Sequence, residues 1–218
     1  MKKNLILIAA IFFAAKVATA QTDKGTQNLG INISVQHNNL TGTELDYSDN
    51  TLQPEVSKYT YLSAGLSYSY FIANKLDIGA NLTYGHSYND NSLNANGQSQ
   101  TDNTCEAEVF IRKYLMCSNK FGFRVGPYLG YDKNDQSYTY TYYTPGELNN
   151  GTTHSIEGGV KLDIVYYPAK HLGLAATLAN AGYSHGISND SNAEKSTQNG
   201  YSLNLISNVA GVSLFYIF

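Results

Sequence analysis

Eight ionisable residues set in otherwise alternating stretches are the first candidates for chemistry: Asp77, Glu106, Glu108, Arg112, Arg124, Glu157, Lys161 and Asp163. Charges of both signs gathered in a narrow space make either a selectivity ring along a conduit or a salt-bridge network that fills the space and holds it shut. Four histidines form a second group: His37, His86, His154 and His185, with Ser87, Ser155 and Ser184 beside three of them. A serine nucleophile needs its histidine base within hydrogen-bond reach. In an extended chain adjacent residues point to opposite faces, so each His/Ser pair is split across a sheet wall. No catalytic residue and no enzyme activity is therefore expected, and the histidines read as interface residues. No close-spaced His/Cys/acid ligand pattern occurs, so neither metal nor cofactor is expected.

Cys105 and Cys117 lie at opposite ends of one candidate strand. Twelve extended residues span roughly 40 Å, far beyond disulfide reach, which predicts free thiols. The acidic residues of the polar loops, Asp49, Asp90, Glu147 and Glu194 among them, lack an Asp-x-Asp-x-Asp-Gly arrangement and read as a solvated surface. The start of the chain has the form of a secretory signal. Lys2 and Lys3 precede the apolar run Leu5–Ala15, and Ala18-Thr19-Ala20 offers a small-residue cleavage site before Gln21. Residues 1–20 are thus expected to be removed and 21–218 to form one domain. Losing Lys2, Lys3 and Lys16 moves the net charge from −3 to −6, and no basic stripe suited to nucleic acid is present.

The elements that must position these groups are strands. Nineteen tyrosines and nineteen glycines, with only four prolines, suit extended segments joined by polar loops. Three short turns resemble one another, each carrying a lysine: residues 71–76, 116–121 and 167–172. They alternate with long Asn/Asp/Ser/Thr/Gly-rich stretches at about 38–57, 89–103, 132–151 and 187–200. Seven connections define eight strands, at about 28–37, 59–71, 76–88, 104–116, 121–131, 153–167, 172–185 and 201–218. Each is long enough to cross a bilayer. The last loses clean phase near Leu203-Asn204-Leu205, which predicts a bulge there.

Period two separates two faces. One carries Leu29, Ile31, Ile33 and Val35, then Leu62, Leu66, Tyr68, Ile78, Leu82, Val109, Ile111, Leu129, Ile156 and Val160, with Leu172, Leu174, Ala176 and Leu178 on strand seven. The other collects glycine, serine and all eight ions. A cation facing lipid at the bilayer midplane costs about 2–4 kcal/mol, so the Gly/Ser/ion face must point inward and the Leu/Ile/Val face toward hydrocarbon. Lys113 breaks the pattern, pointing outward near a turn where it can snorkel. The expectation is an all-β, eight-stranded antiparallel up-and-down transmembrane β-barrel. Tyr138, Tyr140 and Tyr142 alternate with polar residues beyond the span and predict a raised, tyrosine-rich hairpin available for surface interaction.

The signal sequence, eight alternating strands, loop/turn asymmetry and terminal Tyr216-Ile217-Phe218 resemble the small outer-membrane barrels of the OmpX group and the OmpA membrane domain, in a Bacteroidetes-type version. The resemblance implies location in the bacterial outer membrane of a Gram-negative cell, with both termini in the periplasm and four external loops. It implies a terminal assembly signal, Val212, Leu214, Tyr216 and Phe218, read by the barrel-assembly machinery. It also implies contact with outer-membrane lipids and lipopolysaccharide, a monomer, and membrane integrity with adhesion to a host or other surface ligand. A narrow channel for small or apolar solutes is the alternative function, and a lipid A-modifying enzyme a more remote one.

Overall fold

The computed structural model describes residues 22–46, 51–91, 98–140, 148–190, 195–205 and 210–218. Residues 1–20, expected above to be a removed signal, and Tyr142 lie outside the described residues. Among these, every regular element is a strand: β1 (Gln27–Asp46), β2 (Thr51–Ala73), β3 (Leu76–Asn91), β4 (Gln98–Met116), β5 (Phe121–Tyr140), β6 (Leu148–Ala169), β7 (Leu172–Asp190), β8 (Ser196–Leu205) and β9 (Ala210–Ile217). The last two are the halves of one eighth strand. All pairings are antiparallel. Each strand from β1 to β7 bonds to the next, β8 and β9 both bond to β7, and β9 bonds to β1. The sheet therefore returns on itself and closes.

Three tight turns, at 74–75, 117–120 and 170–171, close one end. Lys75 adopts the left-handed conformation there, with φ 62°. The N-terminal segment ties into the same end. Lys75 N–H donates to the Thr22 carbonyl (2.7 Å), Gly25 N–H to Phe71 (2.9 Å), and Phe218 N–H to Gln27 (3.0 Å). At the opposite end the strands run further than the apolar pattern alone requires. β1 and β2 stay in register from Gln27↔Tyr70 to Asp46↔Thr51. Backbone pairing continues where the apolar alternation stops, because a ladder bond needs only its partner strand.

The two faces separate as the alternation predicts. Leu66 is 62% exposed and Leu82 64%, whereas Asp77, on the other face, is 0% exposed. Lys113 is exposed on the apolar face. Two departures are instructive. On β7 the register to β6 shifts between Leu162↔Ala179 and Asp163↔Thr177, so Leu178 is skipped. The expected outward series ends at Ala176, and above the bulge Ala179, Ala181, Tyr183, His185 and Ile187 pair with outward residues of β6 instead. The bulge expected at Leu203–Leu205 does not fall on those residues, which pair regularly with β7, and β8 and β9 pair with β7 in different registers.

Glycine creates room for rings inside. A β-carbon at Gly173 would fall within the Phe215 ring, and one at Gly79 would stand 2.6 Å from Phe110 Cζ. Gly173→Ala should therefore destabilise the folded barrel by about 1–3 kcal/mol through overpacking. Urea unfolding in detergent, followed by the heat-dependent gel mobility of folded barrels, measures this; the substitution Ala181→Gly on the open outer face serves as the comparison and should show only the loss of strand propensity.

Candidate functional site

The inward face is built in three layers. Nearest the turns lies an apolar floor of Phe71, Tyr114, Val165, Tyr167, Ala175, Phe215 and Ile217, with Met116 packed against it. The Phe71 and Tyr114 rings are 5.1 Å apart and tilted, and Tyr167 meets Phe215 edge-on at 5.9 Å. Four of these residues stand one to every second strand, each with its backbone N–H bonded near the turn end: Phe71 to the Thr26 carbonyl, Tyr114 to Lys75, Tyr167 to Lys120 and Ile217 to His171. The chain thus fastens each floor side chain to the neighbouring connection. The Tyr167 hydroxyl is buried there without a hydrogen-bond partner.

The second layer is ionic. Arg112 grips Asp77 through two bonds, Nε to Oδ1 (3.1 Å) and Nη2 to Oδ2 (2.7 Å), and the Tyr114 hydroxyl adds a third at 3.0 Å. Arg124 Nε donates to Asp163 Oδ2 (2.6 Å), whose other oxygen accepts from Thr177 Oγ1 (2.9 Å). Lys161 pairs with Glu108, which also accepts from Asn81 Nδ2 (2.9 Å). Each of these carboxylates faces a cation and a further donor, which offsets its removal from bulk water. Rings sit against the cations as well. Arg112 Cζ stands 3.6 Å from the Phe110 ring centre, and Lys161 Nζ stands 4.1 Å from that of Tyr128.

Glu106 and Glu157 complete the set of eight. With Glu108 they bring three carboxylates together, each offering an oxygen within 4.8 Å of the others. The structure therefore gathers all eight sequence-selected ions on the lumen side, as three cation–carboxylate pairs and a further acidic pair beside Lys161. Above the floor remains a cavity of about 230 Å³. Its β1–β3 wall is neutral, with Asn32, Ser63, Ser67 and Asn81. Its β4–β6 wall carries Glu106, Glu108, Arg112, Arg124, Lys161 and Asp163.

The remaining candidates fall elsewhere. Val212, Leu214, Tyr216 and Phe218 all lie exposed on the outer face of β9 and its end. Tyr138 lies on β5, which pairs with β4 on one side and β6 on the other. It shares the lumen-side face with Asp132 and Gln136, is half-buried, and donates to Gln136 Oε1 (3.0 Å). Tyr140 belongs to β5 by its backbone. Cys105 and Cys117 are free and exposed. The histidines bond to threonine, asparagine or tyrosine across the strand: His37 to Thr60, His86 to Asn103, His154 to Tyr131 and His185 to Asn199.

Sequence reasoning missed the floor. Its residues share parity with glycine and the ions, and a signal was present: Phe71, Tyr114 and Tyr167 each stand a few residues before a lysine-bearing turn.

A membrane barrel of eight strands, filled by ion pairs above an aromatic floor, is the class these features define. The chain belongs to a family of unknown function, DUF6850, whose model matches residues 13–208. No curated protein matches it. Among solved structures it is similar to the outer membrane protein OprG from Pseudomonas aeruginosa, at 14% identity and TM-score 0.47, over 93% of this chain and 99% of that one. It is similar also to a major outer membrane protein from Thermus thermophilus (10% identity, TM-score 0.44, 88% and 99% coverage). A third is Ail, the attachment invasion locus protein of Yersinia pestis (11% identity, TM-score 0.35, 89% and 99% coverage).

Arg124→Met should leave Asp163 as an uncompensated buried charge and cost about 3–5 kcal/mol. Adding Asp163→Asn should restore much of that loss. Urea midpoints of the single and double variants, refolded in the same detergent, check the pair.

Proposed function

We propose that this protein is a non-enzymatic barrel of the bacterial outer membrane, with a lumen blind at its periplasmic end and long hairpins held at the cell surface. One observation carries this reading: the floor of Phe71, Tyr114, Val165, Tyr167, Phe215 and Ile217, all nearly or wholly buried, stands across the lumen at the turn end. Eight strands leave a bore that side chains can fill. Here they fill it twice, with rings and then with ion pairs. A pathway for solutes would have to displace both layers.

The apolar outer face supplies the anchor, and the tall hairpins supply reach. Paired strand continues to Asp46 and Thr51 on the first hairpin, and to Asn91 and Gln98 on the second. A rigid wall standing above the bilayer presents the polar loops to other molecules, which favours roles in membrane integrity and surface contact. The hydrogen-bond partners of the histidines are amides and hydroxyls set on the outer face, an arrangement that speaks for a structural rather than an acyl-transfer role. The terminal Val212, Leu214, Tyr216 and Phe218 fit recognition by the barrel-assembly machinery, and the outer apolar belt fits lipid and lipopolysaccharide around a monomer.

Single-channel recording of refolded protein in a planar bilayer tests the reading. The wild type should show no stable conductance. Phe71→Ala combined with Tyr114→Ala and Phe215→Ala should open discrete current steps if the barrel stays folded. Sustained conductance by the unmodified protein would replace this reading with the narrow channel.

A further inference from the structure

Each of the four loop-end hairpins carries one histidine on its outward face. His37 stands on the first hairpin, His86 on the second, His154 on the third and His185 on the fourth. All four are bonded within their own hairpin, and all four use the same ring nitrogen. Nδ1 of His37 meets Thr60 Oγ1 (3.0 Å), that of His86 meets Asn103 Oδ1 (2.9 Å), that of His154 meets the Tyr131 hydroxyl (2.8 Å), and that of His185 meets Asn199 Oδ1 (2.8 Å).

Two of these sites are copies of one arrangement. Tyr84 and His86 both reach Asn103 Oδ1, and Tyr183 and His185 both reach Asn199 Oδ1, with tyrosine distances of 2.9 Å in each. An amide oxygen only accepts. The imidazole therefore keeps its hydrogen on Nδ1, and Nε2 is the position left open. The cross-strand bond holds each ring on the outward face, where His37 and His86 are exposed and His154 and His185 half-buried.

The four follow one another around the sheet from β1 to β7. From His37 the pairing line runs through Thr60 to Tyr88, and His86 lies two residues nearer the turns. From His86 it runs through Asn103 and Asp135 to Thr152, and His154 again lies two nearer. From His154 it reaches Ile187, and His185 is once more two nearer. Strands in a closed barrel tilt, so a level circle must step steadily off the hydrogen-bond line. The histidines take that step in the same sense each time.

These histidines lie toward the loop-side edge of the apolar belt. Val35, Leu62, Tyr84, Tyr131, Ile156 and Tyr183 stand just beneath or beside them, exposed, with Tyr88 and Ile187 exposed beyond. Such a boundary faces lipid headgroups. We propose that the four imidazoles are a headgroup-binding collar, taking the phosphates of anionic membrane lipids on Nε2 when the rings are protonated. The proposal rests on the reading of the barrel as membrane-inserted.

The surroundings suit an anion. Lys58 flanks His37 on β2, opposite Asp90 of β3, and Lys133 pairs with His154 across β5. Two acids act on His154: Asp132 on the other face of β5, and Asp135, where bonds from Lys133 and then Thr152 hold the carboxyl below the usual range. Around His86 the titratable neighbours are Tyr84, Tyr88 and Cys105, and around His185 they are Tyr183, Tyr201 and His154. Imidazole ordinarily changes charge between about pH 5 and pH 8, and a cation near an anionic surface contributes roughly 1 kcal/mol. Protonating the ring should thus raise the preference for anionic lipid severalfold or more.

The test uses the mature chain refolded into vesicles. The chain has tyrosine and no tryptophan, so quenching of tyrosine fluorescence by brominated lipid reads local lipid composition. Association of brominated phosphatidylglycerol relative to brominated phosphatidylcholine should rise roughly tenfold between about pH 8 and about pH 5. In the variant His86→Gln, His154→Gln, His185→Gln the rise should largely vanish. Should that variant fail to fold, each single substitution should remove part of the rise. A flat ratio in the inserted wild type, or an undiminished rise in folded variants, overturns the collar. Failure to insert in either lipid would instead contradict the membrane reading beneath it.

Discussion

The bond between β1 and β9 is the constraint on which the rest depends. Eight residue pairs, from Asn28↔Ile217 to Val35↔Ala210, join the two ends of the chain. Inside a bilayer no water is available to an unpaired amide, and each one left open costs several kcal/mol. Closure removes that liability for the whole sheet at once, and it creates an inside. Only then does alternation acquire its meaning, with one parity against hydrocarbon and the other against itself.

The inside is narrow enough that its contents must be chosen together. Glycine on one strand answers a ring on another, as Gly173 answers Phe215 and Gly79 answers Phe110. Asp77 is fully buried and tolerable because Arg112 and Tyr114 reach it. The Tyr114 side chain therefore serves two layers, closing the floor with its ring and supporting the ion pair above with its hydroxyl. The ring layer and the ionic layer are thus coupled through one side chain.

Much of this was legible in the sequence because period-two alternation is strict in the spans. Parity separated the ions from Leu66, Leu82 and Val109, and the cost of a charge facing hydrocarbon assigned the ions inward. Strand count followed from seven connections, the three lysine-bearing turns and the four long polar stretches between them. The bulge at Leu178 was not legible, since Leu174, Ala176 and Leu178 continue the apolar series as well as the true path through Ala179 and Ala181 does. The floor escaped because burial against an opposite wall leaves no local trace: Tyr114 looks like any interface tyrosine until Asp77 and Phe71 are brought beside it. The alternation of Tyr138 with polar residues continues the lumen-side parity of Tyr128.

The polarity of the wall is the central claim, and lipid-depth quenching tests it most directly. In a background lacking Cys105 and Cys117, single cysteines at Leu66, Leu82 and Leu129 on one parity, and at Ser67, Asn81 and Gly130 on the other, would carry an environment-sensitive fluorophore. Strong quenching by doxyl-labelled lipid is predicted at the first three positions, with little at the others when labelling is feasible at all. Lipid quenching at Ser67 and Asn81, with Leu66 and Leu82 shielded from the bilayer, would contradict it.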